Sequence, residues 1–232
     1  MYNCQAMARI EAAAERTRLS RETVVDGALA LARNDGMEGV TIRRLAQHLG
    51  VTPMALYWHF KNKDELLAGM ADRVWGLVDS TADPALHWED QLRALMKSLV
   101  GVLRAHSAVT PLLMAVDSER AQSCFSTMEA ALGILHQAGF SPRAAADLCV
   151  HGLRIAVGLV AGEQDAVGTQ DPELEAQLRR KRISMRSLPP DRYPHIIAAA
   201  DSLTSCEDPD AYYDFGIELF VAGVRALAQH RP

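Results

Sequence analysis

Between residues 52 and 63 the chain sets Thr52, Pro53, Met54, Ala55, Tyr57, Trp58 and His59 close together and follows them with Lys61, Asn62 and Lys63. These side chains suit contact chemistry. A tyrosine hydroxyl and a histidine ring can donate to phosphate oxygens, a lysine ammonium can neutralise them, and Met and Ala can touch thymine methyls. Arg43 and Arg44, a short distance upstream, add two cations. A helix face left merely to solvent would carry Glu, Lys and Gln rather than an aromatic cluster.

The elements that must position this group are legible around it. Thr41 can cap a first short helix through Arg43, Leu45 and Ala46 to Leu49, and Gly50 can take the left-handed conformation at its end. Thr52 can cap a second helix, with Pro53 at the first helical position, where its missing N–H costs nothing. Ile42, Leu45, Ala46, Leu49 and Val51 share one inward face, continued by Leu56 and Phe60. This is the helix-turn-helix pattern, whose second helix can enter the DNA major groove. An ordinary helical hairpin has the same spacing, and the aromatic and cationic outer face is what separates the two.

A preceding helix is expected after the cap Ser20, with Glu22 in its first turn, an apolar stripe of Val25, Ala28, Leu29 and Ala32, and Gly36 at its end. Asn62 and Glu65 form a capping box that opens a helix over about 63–79, carrying Leu66, Leu67, Met70, Val74, Trp75 and Val78. Beyond Asp83-Pro84 the pattern stays helical, over about 88–105, 111–116, 119–137, 142–163, 194–204 and 209–229. Ser141-Pro142, Asp171-Pro172 and Asp208-Pro209 each pair a cap with Pro at the first helical position. The reading is all-α in three parts: an extension over 1–19, a helix-turn-helix domain over 20–80, and a larger helical domain over 81–232.

The stretch 163–190 reads as the least ordered, and its basic run Arg179-Arg180-Lys181-Arg182 is either a second nucleic-acid patch or a solvated helix end. The extension carries Arg9, Arg16 and Arg18 beside Glu11 and Glu15. It is either a frayed helix or a basic arm for the minor groove.

Composition adds bounds. The 232 residues are 49% hydrophobic, enough for a sizeable core, and the net charge is −5. Residues 1–65 hold nine Lys or Arg against eight Asp or Glu, while the rest hold 15 against 21, so the acidity lies away from the basic motif. Cys4, Cys124, Cys149 and Cys206 show no zinc spacing, and reduced thiols suit a cytoplasmic protein. No apolar run is expected to reach the roughly 18 residues of a membrane helix. No HExxH, GxSxG or phosphate-binding glycine loop points to an enzyme, and no cofactor is expected. A helical enzyme, and a helical ligand-binding or interaction protein without DNA binding, are the alternatives.

The run from Leu19 to Val74 resembles the DNA-binding domain of the tetracycline-repressor (TetR) family, most specifically in LYWHFKNKDELL. The resemblance implies that Arg43 approaches the operator, that residues 52–55 face bases, and that Tyr57, His59 and Lys63 hold phosphates. The family's polar base-reading Gln falls on Pro53, followed by Met54 and Ala55, which implies a different operator.

The last helix sets Tyr212, Phe215, Gly216, Leu219, Phe220, Gly223 and Leu227 on one stripe. The helix over 142–163 repeats the feature with Leu148, Gly152, Ile155 and Leu159, flanked by Gly158 and Gly162. Glycine within a helix costs about 1 kcal/mol relative to alanine, so a close helix neighbour is needed to explain it. Packing inside one subunit satisfies this. The resemblance of FGIELFVAGVRAL to the family's final helix implies instead a homodimer seam through Leu148, Gly152, Ile155, Leu159, Phe215, Gly216, Leu219 and Gly223.

Trp75, Asp79, Leu95, Leu99, Leu103, Met114, Met128, Leu132 and Leu153 are either core or the adaptable wall of a small-molecule cavity. WEDQLRALM and MEAALGILHQAGFSPR extend the resemblance here. The family's drug-contacting His falls on Asp79, its Asn and Phe on Leu95 and Leu99, and its metal-binding His near Met114 or Ala115. The resemblance thus implies a ligand-responsive regulator, a repressor by default, with a largely apolar effector and no metal. Its partners are a palindromic double-stranded DNA operator, the effector and a second copy of itself, and no membrane.

Overall fold

The computed structural model describes residues 19–115, 122–166, 172–205 and 208–230. The extension up to residue 18, Cys4 and Cys206 lie outside the described residues. Among the described residues eleven α-helices follow one another: α1 Arg21–Asp35, α2 Ile42–Leu49, α3 Pro53–Tyr57, α4 Lys63–Trp75, α5 Trp88–Ala105, α6 Thr110–Ala115, α7 Gln122–Gln137, α8 Pro142–Ala166, α9 Pro172–Arg186, α10 Pro194–Ala199 and α11 Pro209–Gln229. Single 3₁₀ turns, Met37–Gly39 and Ser107–Val109, precede α2 and α6. The fold is all-α.

The starts of the helices α1 to α4 are fixed by side chains. Ser20 Oγ accepts the Thr23 N–H at 3.1 Å, Thr41 Oγ1 that of Arg44 at 3.2 Å, Thr52 Oγ1 that of Ala55 at 3.3 Å, and Asn62 Oδ1 that of Glu65 at 2.8 Å. Each such cap is worth about 1 kcal/mol. That matters most for α3, which is too short to hold itself by helix propagation.

The chain divides into two compact units, one within Met1–Leu77 and His106–Ser126, the other within Val78–Ala105 and Thr127–Pro232. The division differs from the expected boundary at residue 80, because a segment beyond α5 returns to the first unit. Val109 and Leu113 are buried there, and the 3₁₀ turn before α6 packs on α1. Asp72 Oδ1 of α4 also accepts the Ser123 N–H, in the first turn of α7, at 2.8 Å. The first unit's core is aliphatic, built from Val24, Ala28, Leu45, Leu56, Leu66, Met70 and Val74.

In the second unit α5, α8 and α11 pack on one another. Leu92, Met96, Leu99 and Leu103 of α5 meet Ala156 and Val160 of α8 and Ile217, Phe220 and Val224 of α11 in its core. Ion pairs stitch α5 to α11 in antiparallel order: Glu89–Arg225 at 3.3 Å, Arg93–Glu218, Lys97–Asp214 at 2.8 Å and Arg104–Asp210 at 2.8 Å. Being exposed, such pairs set register more than they add stability.

Several boundaries differ from the sequence expectation. Helix α4 ends at Trp75, not near 79, because the chain turns at Gly76 and the Asp79 N–H bonds to Ser98 Oγ instead of continuing the helix, at 2.7 Å. The stretch expected to be least ordered contains the 15-residue α9. Its Glu, Leu, Ala, Gln, Lys and Arg are strong helix formers, and they outweigh the low hydrophobicity on which the expectation rested. Helix α10 closes at Ala199, and the chain turns up to Thr204, whose hydroxyl donates to the Ala200 carbonyl at 2.7 Å. The basic run lies on α9, where Arg182 Nε donates to Thr204 Oγ1 at 2.9 Å, so part of it serves local packing. Finally, Pro142–Gly162 of α8 is long and apolar enough to cross a membrane, with mean hydropathy 1.6, and only 22% of its apolar window is buried within the chain. Arg143, Asp147 and Arg154 are spaced widely enough that no long uncharged run stands out in the sequence.

Candidate functional site

Helix α2 ends where Gly50 adopts the left-handed conformation, φ 67° and ψ 29°, which turns the chain sharply into Thr52. The Val51 N–H returns to the Ala46 carbonyl at 2.9 Å and tightens that turn. Leu56 and Phe60 are buried and anchor α3 from beneath. What remains above is exposed: Met54, Tyr57 and, at 85% of its free surface, Trp58. Thr52 and Pro53 are exposed as well, while Ala55 and His59 are half-buried.

The far side of α3 is held by one arginine. Arg21 Nη1 donates to Glu65 Oε1 at 2.8 Å and to the His59 carbonyl at 3.2 Å, and its guanidinium stacks over Phe60 at 4.5 Å. Glu65 Oε2 also accepts the Lys61 N–H at 2.8 Å. The Arg21 hydrogen bond, followed by that of Lys61, holds the Glu65 carboxyl below its usual range. The backbone from His59 to Glu65 is therefore held by Arg21 and Glu65, with Trp58 preceding it and Lys63 within it.

The two arginines of α2 differ. Arg44 is tied to Asp35 at 2.7 Å, whereas Arg43 is exposed and pairs with no carboxylate among the described residues. The structure thus brings Arg43, Thr52, Pro53, Met54, Ala55, Tyr57, Trp58, His59 and Lys63 into one unit. Arg21, which supports them, was missed in the sequence. Its only signal there was a position at the start of the preceding helix.

The expected effector residues divide between the two units. Trp75 and Met114 belong to the first unit, and Asp79, Leu95, Leu99, Leu103, Met128, Leu132 and Leu153 to the second. Leu95, Leu99 and Leu103 are buried core, Leu132 and Leu153 are half-buried, and Met114 and Met128 are exposed. The second unit holds a small recess of about 60 Å³, open to solvent, lined by Asp79, Ala82, Leu95 and Ile134 and by Gln91 and Ser98, which the sequence reading missed. Gln91 precedes Leu92, Leu95 and Leu99 on the buried stripe of α5, and a polar residue on such a stripe was the signal available.

The small residues of the expected seam separate into two sets. A Cβ on Gly216 would lie 2.4 Å from Leu159 Cδ2, and one on Gly152 3.0 Å from the Phe220 ring. Both glycines and Leu159 therefore serve the packing of α8 on α11 inside the chain, and Leu148 is half-buried. Gly158 and Gly223 meet nothing within 4 Å, and they lie among exposed Val150, Ile155, Phe215, Leu219 and Leu227. The outward face runs through this second set, shifted around each helix from the sequence-derived one.

A capped, clamped recognition helix on a small helical unit, followed by a larger helical unit, defines a DNA-binding regulator. Comparison with known proteins gives its family. The description "Bacterial regulatory proteins, tetR family" matches residues 24–70, and "Tetracyclin repressor-like, C-terminal domain" matches residues 81–228. Tetracycline repressor protein class C of Escherichia coli is 31% identical over 220 residues, covering 90% of this chain and 92% of the relative. A possible TetR family transcriptional regulator from Streptomyces coelicolor A3(2) superposes with a TM-score of 0.74 at 30% identity, over 90% of this chain and all of that one. The S. coelicolor TetR family protein ActR, in complex with actinorhodin, shares the fold with a TM-score of 0.77 at 24% identity, over 91% of this chain and 99% of that one. The chain belongs to the TetR family. It is a ligand-responsive, DNA-binding transcriptional regulator, not an enzyme.

Proposed function

We propose that the protein represses transcription as a symmetric cytoplasmic homodimer, each copy laying α3 in the major groove of one half of a palindromic operator. The observation that carries this reading is the exposure of Met54, Tyr57 and Trp58 on a helix capped and clamped beyond what five residues could sustain alone. Thr52, Pro53, Met54 and Ala55 face base edges, with Met54 and Ala55 suited to thymine methyls. Arg43, Tyr57, His59 and Lys63 hold phosphates, Trp58 packs against the backbone sugars, and Arg44 steadies the start of α2 through Asp35. Pro53 carries no side-chain donor, so reading there rests on shape and apolar contact, and the operator differs from that of the tetracycline repressors.

The outward faces of α8 and α11, centred on Ile155, Phe215, Leu219 and Gly223, pair with the same faces of a second copy. That pairing also covers the apolar stretch of α8 without any membrane. A largely apolar small molecule binds the second unit and favours a conformation in which the two α3 helices no longer match half-sites about 34 Å apart. Linkage then requires that DNA weaken effector binding by the same factor.

Selection of duplexes from a random library by the purified protein tests the DNA assignment. Inverted repeats should be enriched, and Met54→Ala should relax preference at one base pair in each half. Enrichment of no sequence, or the same enrichment by Met54→Ala and Lys63→Ala proteins, would overturn it.

A further inference from the structure

The recess in the second unit holds a polar group whose chemistry is unmet. Gln91 is 4% exposed, and its Nε2 donates to the Leu86 carbonyl at 2.8 Å and to Gln137 Oε1 at 3.4 Å. A carbonyl can only accept, so the Leu86 bond fixes the amide nitrogen on that side. Gln91 Oε1 is then left without a hydrogen-bond partner. A buried, unpaired amide oxygen is uncommon in folded proteins and calls for a physical reason.

The surroundings supply one. Gln91 lines the recess together with Asp79, Ser98, Ala94, Leu95 and Ile134. Asp79, itself exposed, lines the recess; its Oδ1 accepts the Thr81 N–H at 3.0 Å, and that bond holds the carboxyl below its usual range. Ser98 Oγ accepts the Asp79 N–H and keeps its own proton for a further partner. Ala82, Ala94, Leu95 and Ile134 form the aliphatic part of the wall, and Ser80 and Thr81 share the rest. No cationic side chain lines the recess. Two acceptors, one of them charged, beside an aliphatic patch suit a donor that is itself cationic.

We propose that this recess receives the protonated amine of a largely apolar ligand, with the ammonium on Asp79, one N–H reaching Gln91 Oε1, and the carbon skeleton on Leu95 and Ile134. The proposal rests on the reading of the second unit as effector-binding and names the chemical class of the effector. Between Asp79 and Asp83 the chain has no regular secondary structure, so the rim can yield as the ammonium reaches the buried oxygen. A neutral hydroxyl meets only part of this arrangement. An anion meets only the Ser98 hydroxyl, and the Asp79 carboxylate repels it.

The full-length protein, titrated with benzylamine, benzyl alcohol and benzoate and followed by amide chemical shifts in solution, tests the proposal. Benzylamine should bind most tightly, moving the Gln91 side-chain amide and Ser98 signals, and benzoate should move neither. Asp79→Asn keeps the acceptor for Thr81 while removing the charge. It should weaken the amine about tenfold, the worth of a charge-assisted hydrogen bond, and leave benzyl alcohol unchanged. Gln91→Met should weaken the amine by a similar factor, and Tm should fall as well because the amide donor to the Leu86 carbonyl and Gln137 is lost with the unpaired oxygen. Benzoate binding as tightly as benzylamine, unchanged amine affinity in Asp79→Asn, or shifts confined to residues outside the recess would each overturn the proposal. Retention of duplex DNA in a gel, measured on the same samples, separates the two readings. Intact retention with no amine binding removes the recess alone, whereas amine binding without retention removes the regulator.

Discussion

Helix α3 and the outward faces of α8 and α11 both hold large apolar side chains in water, but they are built for different partners. On α3 the exposed groups are Met54, Tyr57 and Trp58, two of them aromatic with a polar edge, and Arg43, His59 and Lys63 stand beside them. On α8 and α11 they are Val150, Ile155, Phe215, Leu219 and Leu227, at 68% exposure for Phe215 and 59% for Leu219, with open glycines between them. An amphipathic aromatic face ringed by cations matches a surface of stacked bases and phosphates. An aliphatic face with gaps for close approach matches another helix, and a symmetric dimer supplies that helix as a copy of itself. Exposed apolar area therefore says that a partner exists, and the polar groups around it say which kind.

The supports differ in the same sense. The DNA-reading face is held by caps and by the Arg21–Glu65–Lys61 cluster, which fix a short helix to within a groove's tolerance. The α8–α11 face is held by glycine-mediated contact and an ion-pair ladder, which align long helices without filling their outer side.

Substitutions can break this contrast, and the largest effect is expected on α11. Leu219→Glu places a like-charged pair in a dehydrated, symmetric seam, so light scattering at micromolar concentration should show monomers. Apparent duplex affinity should fall about 100-fold or more, since one copy grips only half a site. The monomer should keep its helix content, because Leu219 touches little within its own chain. Next comes Trp58→Ala, expected to weaken duplex binding by about 1–3 kcal/mol with no change in Tm, read by gel shift and calorimetry. Lys63→Ala should weaken binding to all sequences alike and lower the salt slope by about 1.

The smallest effect concerns pH. The folded-state acidity of Glu65 is raised by Arg21 and Lys61, so its contribution to stability is complete above the unfolded carboxyl value and is lost as pH falls through the depressed folded one. Glu65→Gln should remove that part of the acid dependence of Tm, at about 1 kcal/mol or less for an exposed pair. His106 adds a second loss on acidification. Its imidazole is held below its ordinary range by burial and by Arg33, so neutral histidine favours the folded state and the benefit disappears as pH falls below 6.5 through that lowered value. His106→Gln should flatten the Tm profile there.

The helix-turn-helix was readable because its signals are local. Thr41, Gly50, Thr52, Pro53 and Asn62 act within one turn of where they stand, and each cap is found in place. The long-range supports were not readable. Arg21 meets Glu65 across 44 positions and Asp72 meets Ser123 across 51, and neither spacing leaves a periodic trace. The small-residue stripe was legible but not which of its glycines face outward, because glycines facing Leu159 and Phe220 inside the chain look the same in sequence as glycines that meet nothing. Gln91 shows a similar loss. A glutamine on a buried stripe is visible, but whether its oxygen finds a partner depends on Leu86 and Gln137 together.

The central claim is that the two exposed faces have separate partners, and native mass spectrometry with a selected duplex tests it most directly. The protein should appear as a dimer alone and as two chains on one duplex. Trp58→Ala should remain a dimer and hold the duplex more weakly, while Leu219→Glu should lose the dimer. A Trp58→Ala protein that dissociates into monomers, or a Leu219→Glu protein that still places two chains on the duplex at wild-type affinity, would contradict the account.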